Sequence, residues 1–155
     1  MLGRIKMKIK SMKLKWRVFR MRSKGANIGK GVKIYGKITT YGRLSNLKIG
    51  NGCTINNNVS LGVRGGIQIG NDVRISPNVI IISSGLNLNE KPRKHFEAPI
   101  VIENNVWIAV GAIISAGVKI GENSVIGAGS VIVKDVPKNS FYGGIPGRLI
   151  KSIEN

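Results

Sequence analysis

The chain has 155 residues, of which 42% are hydrophobic and only 5% aromatic, with 21 glycines and a net charge of +18. This length suits one domain, and the shortage of aromatic residues argues against a core of packed helices. The single cysteine excludes an internal disulfide, and the single histidine excludes a zinc site built from several histidines, so we expect no metal.

The N-terminal segment, residues 1–26, carries ten basic residues and no acidic residue. Its apolar residues recur at intervals of three or four, which predicts an amphipathic helix. Two compatible roles remain open for this helix. It caps the end of the following domain with its apolar stripe, or it lies on an anionic membrane surface. The stripe consists of Leu2, Ile5, Ile9, Met12, Trp16 and Phe19.

The same segment bears on location and partners. It is too densely charged for a signal peptide, and the chain has no apolar run long enough to span a membrane. We therefore expect a cytoplasmic protein, with peripheral binding at the inner face of the cytoplasmic membrane as the finer alternative. Patterns that pair basic residues with stacking aromatic residues are absent, so we expect no nucleic-acid partner.

From Ile28 onward, branched aliphatic residues return every six positions, with interruptions near Gly42 and Arg64. A period of six fits neither an amphipathic helix nor a long strand, and it predicts short strands joined by tight corners. Gly111, Gly117 and Gly129 make positive φ available at those corners. The clearest inward positions are Ile102, Ile108, Ile114, Ile120, Ile126 and Ile132, each followed four residues later by Val106, Ala112, Val118, Ser124, Ser130 and Val136.

Two stretches depart from the repeat. Residues 83–101 form a loop long enough to leave the coils, and this loop contains His95, the only histidine. A loop on a rigid scaffold is a common place for functional residues. After Pro137 the repeat ends, and residues 148–153 are predicted to form a short helix whose apolar side chains fold back on the coils.

The run "IVIENNVWIAVGAIISAGVKIGENSVIGAGSVIVKDVPKNSFYGGIPGRLIK" resembles the hexapeptide-repeat acyltransferases, and most of all the bacterial sugar O-acetyltransferases of the maltose, galactoside, colanic-acid and O-antigen type. The resemblance covers about Ile28 to Lys151. It implies an all-β fold, a left-handed parallel β-helix, here of about five coils at residues 27–151. A basic N-terminal helix, a protruding loop and a short C-terminal helix complete the expected architecture.

The resemblance also implies acetyl-CoA as acyl donor, a saccharide acceptor and a homotrimer with cofactor grooves between neighbouring subunits. Small residues at the coil corners are the candidates for contacting the pantetheine, and basic residues are the candidates for the phosphates. The segment "GGIPGRLIK" is similar to a "GNPARVIK" tail that lies near the cofactor in the family. The candidate cofactor-binding residues are Gly111, Ala112, Ala128, Gly129, Lys134 and Arg148.

The candidate base departs from the family pattern. Many relatives carry a run resembling Thr-His-Gly-His-Asp at the start of the loop, where this chain has Ser83, Ser84, Gly85, Leu86 and Asn87. Three interpretations of His95 stay open. It replaces the missing base, it binds the acceptor or packs at an interface, or catalysis has been lost.

Three further residues are candidates for binding the acceptor: Ser84, Asn87 and Trp107. Trp107 is predicted to face outward, where it either stacks on a sugar or anchors the trimer. The favoured function is an acetyl-CoA-dependent O-acetyltransferase acting on a saccharide hydroxyl of a bacterial cell-envelope polysaccharide or its precursor. A non-catalytic trimeric scaffold and an N-acetyltransferase acting on an amino sugar are the alternatives.

Overall fold

The computed structural model describes residues 2–154, and describes side chains for residues 12–154. One helix, α1 (Leu2–Ser23), precedes a stack of coils whose short strands form three parallel sheets. This architecture confirms the predicted left-handed parallel β-helix and the N-terminal helix. The stack has about six coils, close to the predicted five.

The three sheets, called A, B and C here, follow one another around each coil. Sheet A contains β1 (Asn27–Ile28), β4 (Leu47–Ile49), β7 (Ile67–Ile69), β12 (Ile100–Ile102) and β15 (Lys119–Ile120). Sheet B contains β2 (Lys33–Ile34), β5 (Thr54–Ile55), β8 (Arg74–Ile75), β13 (Trp107–Ile108), β16 (Val125–Ile126), β18 (Ser140–Gly143) and β19 (Arg148–Ser152). Sheet C contains β3 (Ile38–Tyr41), β6 (Val59–Gly62), β9 (Ile80–Ile82), β14 (Ile113–Ile114) and β17 (Val131–Ile132).

Two local elements interrupt the stack. A 3₁₀ turn, Leu44–Asn46, fills the first interruption of the repeat. A separate antiparallel hairpin consists of β10 (Ser84–Leu86) and β11 (His95–Glu97), and it leaves the stack between sheets C and A. The predicted loop at residues 83–101 is therefore an ordered hairpin, and its C-terminal end already belongs to the coil strand β12.

The interior confirms the six-residue register. In sheet B, Ile108 stacks between Ile75 and Ile126, and the inward isoleucines of the other sheets form equivalent columns. Two serines occupy interior positions without loss of hydrogen bonding. The Ser124 hydroxyl donates to the Pro137 carbonyl at 2.7 Å, and the Ser130 hydroxyl accepts the backbone N–H of Gly144 at 3.1 Å. Each serine thus satisfies a backbone group of the last coil.

The helix α1 caps the first coil, but with a different stripe from the predicted one. Val18 and Met21 are buried against the coil. The Arg22 guanidinium donates to the Ile28 carbonyl at 2.6 Å, and that of Arg17 donates to the Ile34 carbonyl at 3.2 Å. These bonds satisfy carbonyls at the upper sheet edge, where no further strand exists to accept them.

The predicted stripe faces solvent instead. Met12, Trp16 and Phe19 are all exposed, so the prediction that this stripe covers the first coil is wrong for them. The side chains of Leu2, Ile5 and Ile9 lie outside the described part of the structure. Within residues 2–154, no helix combines the length and the apolar character needed to cross a bilayer.

The C-terminal prediction was also wrong. Residues 148–152 form the strand β19, antiparallel to β18, rather than a helix. The edge of sheet B offers unpaired backbone groups, and an antiparallel strand satisfies them where a helix would not. Leu149 and Ile150 are exposed at this end of the stack, so they do not fold back on the coils as expected.

Candidate functional site

The hairpin formed by β10 and β11 holds three of the predicted site residues. Backbone pairing sets Ser84 opposite Glu97, Gly85 opposite Phe96, and Leu86 opposite His95. A Cβ atom at Gly85 would lie 2.7 Å from the Phe96 ring, so a larger residue there would push this exposed side chain aside.

His95 lies on the same face of the hairpin as Leu86. Directly opposite residues of an antiparallel pair have Cβ atoms about 4.5–5.5 Å apart on one face. Leu86 stands at one of the two positions where the family motif carries histidine, and the structure places the only imidazole of the chain immediately across from it. The sequence does not predict that these two residues are neighbours, because strand pairing between residues nine apart in an irregular loop leaves no periodic pattern.

The other polar residues of the hairpin differ in burial and in hydrogen bonding. Glu97 lies two residues from His95 on β11, and so on the same face of the hairpin. Ser84 is half-buried at the base. Asn87 is engaged within the loop, because its side-chain N–H donates to Glu90 at 2.8 Å and its carbonyl oxygen accepts from the Asn89 backbone at 3.1 Å. Asn87 therefore shapes the hairpin turn.

The corner between sheets B and C presents the predicted glycines to open space. Gly111 and Gly129 have φ values of 70° and 65°, and an added Cβ at either would meet no atom within 4 Å. Their backbone N–H groups donate to Pro77 and Val110 in the neighbouring coil. Their carbonyl oxygens accept none of the bonds between coils, so these oxygens are the groups that an N–H of a ligand can reach.

Exposed apolar residues line the same corner. In the third, fourth and fifth coils, the residues two positions after the inward isoleucine of sheet B are apolar and exposed: Pro77, Val110 and Ala128. The equivalent positions after sheet A in those three coils hold asparagine or glutamate. Val110 was not among the predicted site residues, although this contrast between the corners is visible in the repeat once the inward positions are aligned.

The other cofactor candidates lie in three different places. Ala112 is fully buried, so its side chain faces the core and cannot reach a ligand. Arg148 is exposed at the start of β19, opposite Gly143, at the lower end of the glycine corner. Lys134 is exposed two residues after β17, which places it at the corner between sheets C and A, below the hairpin.

Trp107 projects from sheet B with half of its surface exposed, and its indole N–H donates to the Ser76 hydroxyl at 3.1 Å. Sheet B lies opposite the corner from which the hairpin leaves. Within one chain the structure therefore does not bring Trp107 together with His95. It likewise separates His95 from Gly111 and Gly129 by the width of sheet C.

Cys53 has a structural environment. The side chain is fully buried, and its thiol donates to the Gly70 carbonyl at 3.0 Å. Burial raises the pKa of this thiol above its ordinary value, because the thiolate would lose its hydration. A thiol held protonated in the core packs as a small apolar side chain. Among the described residues, no group of three His, Cys, Asp or Glu side chains is placed to hold a metal ion.

Known proteins share both the sequence pattern and the fold. Residues 99–134 match the family model described as bacterial transferase hexapeptide (six repeats). The chain is 41% identical to galactoside O-acetyltransferase from Escherichia coli over 114 aligned residues. This alignment covers 72% of the present chain and 56% of the Escherichia coli protein. It thus spans about half the length of the curated relatives that it matches.

Two solved structures cover more of the chain. A hexapeptide-repeat acetyltransferase from Vibrio cholerae, complexed with acetyl coenzyme A, has a TM-score of 0.87 and 30% identity, covering 99% of this chain and 85% of its own. A maltose O-acetyltransferase from Clostridium difficile has a TM-score of 0.79 and 33% identity, covering 87% of this chain and 73% of its own.

Proposed function

Because this chain belongs to the hexapeptide-repeat transferase family, we propose that it is an acetyl-CoA-dependent O-acetyltransferase acting on a saccharide hydroxyl. The acceptor is a bacterial cell-envelope polysaccharide or its precursor. Similar proteins are named galactoside and maltose O-acetyltransferases, and a similar structure was solved with acetyl coenzyme A. These likenesses support the reaction class.

The pairing of Leu86 with His95 carries the proposal. The family histidine is missing from β10, but an imidazole projects from the facing position of β11 on the same side of the hairpin. We propose that the base has moved across the hairpin while keeping its place in space. A neutral imidazole is well matched to accepting a hydroxyl proton near neutral pH.

The chemistry then follows from one proton acceptor. Acetyl-CoA supplies the acetyl group as a thioester. His95 accepts the proton of the sugar hydroxyl, whose oxygen bonds to the carbonyl carbon while the bond from that carbon to sulfur breaks. The imidazolium returns the proton to the departing sulfur, so His95 is neutral again at the end. Ser84 and Glu97, on the same face, are placed to orient the acceptor or the imidazole.

The glycine corner is the proposed cofactor groove. Open space in front of Gly111 and Gly129, with Ala128 and Val110 exposed beside them, suits an extended pantetheine chain. The glycine carbonyls would accept from its amide N–H groups, and Arg148 would meet the phosphates. Lys134 would do so only from a neighbouring subunit, because it lies at the other corner of sheet C.

The separation of hairpin and groove supports a homotrimer. A single chain holds the two at different corners, so a complete site needs the hairpin of one copy beside the groove of another. Sheet C, which joins these corners, has half-buried apolar side chains on its outer face, and apolar surface of this kind is better covered than left in water. Those outward residues are Ile80, Ile113 and Val131. Trp107 on sheet B then anchors the trimer or stacks on the acceptor. Light scattering should give the mass of a trimer.

We also propose a cytoplasmic location, with peripheral binding to the anionic inner face of the cytoplasmic membrane. Ten basic residues and no acid in residues 1–26 support this attraction. The acceptor would then be held on a membrane lipid.

The proposed reaction is tested with labelled acetyl-CoA and a panel of envelope oligosaccharides, amino sugars included. His95→Asn should lower kcat at least about 10²-fold, since general-base catalysis typically contributes ~10²–10⁴-fold. Its Kd for coenzyme A should stay near that of wild type. Leu88→Ala, at an exposed position of the same loop, is the matched control and should transfer normally. Retention of a third of the rate by His95→Asn would place the base elsewhere.

A swap of the paired residues tests the relocated base directly. His95→Leu should be as inactive as His95→Asn. The double variant Leu86→His with His95→Leu should transfer acetyl at least tenfold faster than His95→Leu alone. The double variant keeps the composition of the hairpin and moves the imidazole across one backbone pair. If neither wild type nor the double variant transfers acetyl to any acceptor, the protein is a scaffold and not an enzyme.

A further inference from the structure

The helix α1 carries two apolar stripes on opposite sides, and the coils use only one. Successive residues of a helix turn by about 100°, so residues two apart point in nearly opposite directions. Val18 and Met21 are 8% and 9% exposed against the first coil, whereas Trp16 and Phe19 are 57% and 67% exposed. Met12, at 66% exposure, continues the outer side. We call Met12, Trp16 and Phe19 the outer stripe.

Basic residues flank the outer stripe without acidic partners. By helical position, Lys13 and Arg20 lie on one side of it and Lys15 lies on the other. The Arg20 guanidinium sits 5.3 Å from the centre of the Trp16 ring. Among the described residues, the ion pairs join Lys94 to Glu90 and Lys119 to Glu103, so none of these helix cations is neutralised. An aromatic stripe between unpaired cations has the chemistry of an anionic lipid surface.

We propose that the outer stripe docks the protein onto an anionic membrane, with the axis of the coil stack standing roughly upright on the surface. This inference deepens the proposed function, and it rests on that function only for the identity of the acceptor. A protein partner of matching shape would need acidic residues around an apolar groove. A membrane needs only anionic headgroups over an apolar layer, which is what the stripe and its flanking cations complement.

The upright orientation follows from where the helix lies. α1 contacts β1 and β2, the first strands of sheets A and B, so it lies across the end of the stack. Its outer stripe therefore faces away from the coils along their axis. In a trimer of parallel stacks, three such helices would face one plane, and their simultaneous binding would raise the overall affinity well above that of one helix.

The orientation also sets the height of the reacting group. The hairpin leaves the stack after β9, the third strand of sheet C, so its base lies about two strand spacings of ~4.8 Å below the first coil. Adding a helix of about 10 Å diameter puts it roughly 20 Å from the lipid surface. An acceptor held on a membrane lipid would present a sugar at that distance from its anchor, and not the sugar next to the lipid.

The first experiment is co-sedimentation with vesicles of phosphatidylcholine alone or mixed with phosphatidylglycerol, using the full chain without substrates. Wild type should bind the mixed vesicles, and added salt should weaken binding because exposed charges are screened. Trp16→Ala with Phe19→Ala should bind at least tenfold more weakly, and Lys13→Glu with Lys15→Glu should do the same. The matched control, Leu149→Ala with Ile150→Ala, removes exposed apolar groups from the opposite end and should bind as wild type does.

The second experiment tests the orientation, because the chain has only two tryptophans. Trp107→Phe leaves Trp16 as the sole reporter at the helix, and Trp16→Phe leaves Trp107 on the side of the stack. Brominated lipids in the mixed vesicles should quench the Trp16 reporter strongly. The Trp107 reporter of protein that is still bound should remain unquenched.

Unchanged vesicle binding by the Trp16→Ala, Phe19→Ala variant would overturn the docking surface. Equal quenching of both reporters would overturn the upright orientation. Failure to bind either kind of vesicle would refute the membrane as partner. Acetyl transfer to a soluble oligosaccharide is measured without vesicles, so none of these outcomes depends on whether the proposed reaction is correct.

Discussion

Two corners of the coil stack both require a left-handed backbone conformation, and they reach it with different residues. At the corner between sheets A and B, Asn105 and Asn123 have φ values of 53° and 59°, and at the corner between sheets B and C, Gly111 and Gly129 have 70° and 65°. Asparagine tolerates this left-handed conformation better than other residues with a side chain, so glycine is not the only solution.

The difference lies in what the side chains do. The amide of Asn105 donates to Asn123 at 3.0 Å, and that of Asn123 donates to Asn139 at 3.0 Å, which ties successive coils together. Gly111 and Gly129 make no such bonds and leave empty space outside the backbone. The side chains of the first corner therefore link successive coils, whereas the second corner leaves its outer surface open.

The largest expected effect comes from giving the glycine corner the residues of the asparagine corner. Gly111→Asn with Gly129→Asn should fold with nearly unchanged stability, because asparagine accepts the local φ. Its side chains would fill the proposed groove, and we expect coenzyme A affinity to fall about a hundredfold, or ~2.7 kcal/mol. Titration calorimetry measures the affinity and thermal unfolding measures the stability. Normal coenzyme A affinity in this variant would show that the cofactor groove does not lie at this corner.

The reciprocal change should affect stability and not binding. Asn105→Gly with Asn123→Gly keeps the backbone conformation but deletes both side-chain bonds between coils. At about 0.5–1.5 kcal/mol for each net hydrogen bond, the loss of two bonds should lower the free energy of unfolding by about 1–3 kcal/mol. Denaturant unfolding measures this loss. Coenzyme A affinity should match wild type, and a large fall in that affinity would mean that the corners are not independent.

The smallest expected effect is a pH dependence at the asparagine corner. The Lys119 ammonium lies 2.8 Å from the Glu103 carboxylate, and this hydrogen bond is the main cause that lowers the pKa of Glu103 and raises that of Lys119. A lowered carboxyl pKa stabilises the fold above the unfolded-state pKa, and the contribution disappears as pH falls through the folded-state value. Glu103→Gln should therefore lower Tm slightly near neutral pH and not at all in acid.

The raised pKa of Lys119 provides a control at high pH. The raised Lys119 pKa stabilises the fold until pH rises through it, so alkaline conditions should also abolish the difference between wild type and Glu103→Gln. Both groups are partly exposed, and salt should shrink the difference further. A difference in Tm that persists in acid would mean that Glu103 acts through packing or through its bond to the Glu122 backbone.

Sequence patterns predicted the coils well and the attached elements poorly. The inward positions of residues 102–136 are all buried as the repeat requires, since a side chain's direction in a short strand is a local property. The hairpin pairing of Leu86 with His95 had no such local signal. For the candidate site, the sequence located the glycines and the histidine, but it did not indicate that they occupy different corners of one chain.

The six-residue period, the inward columns, the corners with positive φ and the N-terminal excess of positive charge can all be read from the sequence. Which stripe of α1 packs on the coils becomes visible only in the folded chain. The same is true of residues 148–152 extending a sheet edge and of the imidazole lying across from Leu86. These outcomes depend on surfaces and unpaired backbone groups contributed by residues far away in the chain, and a local period carries no information about them.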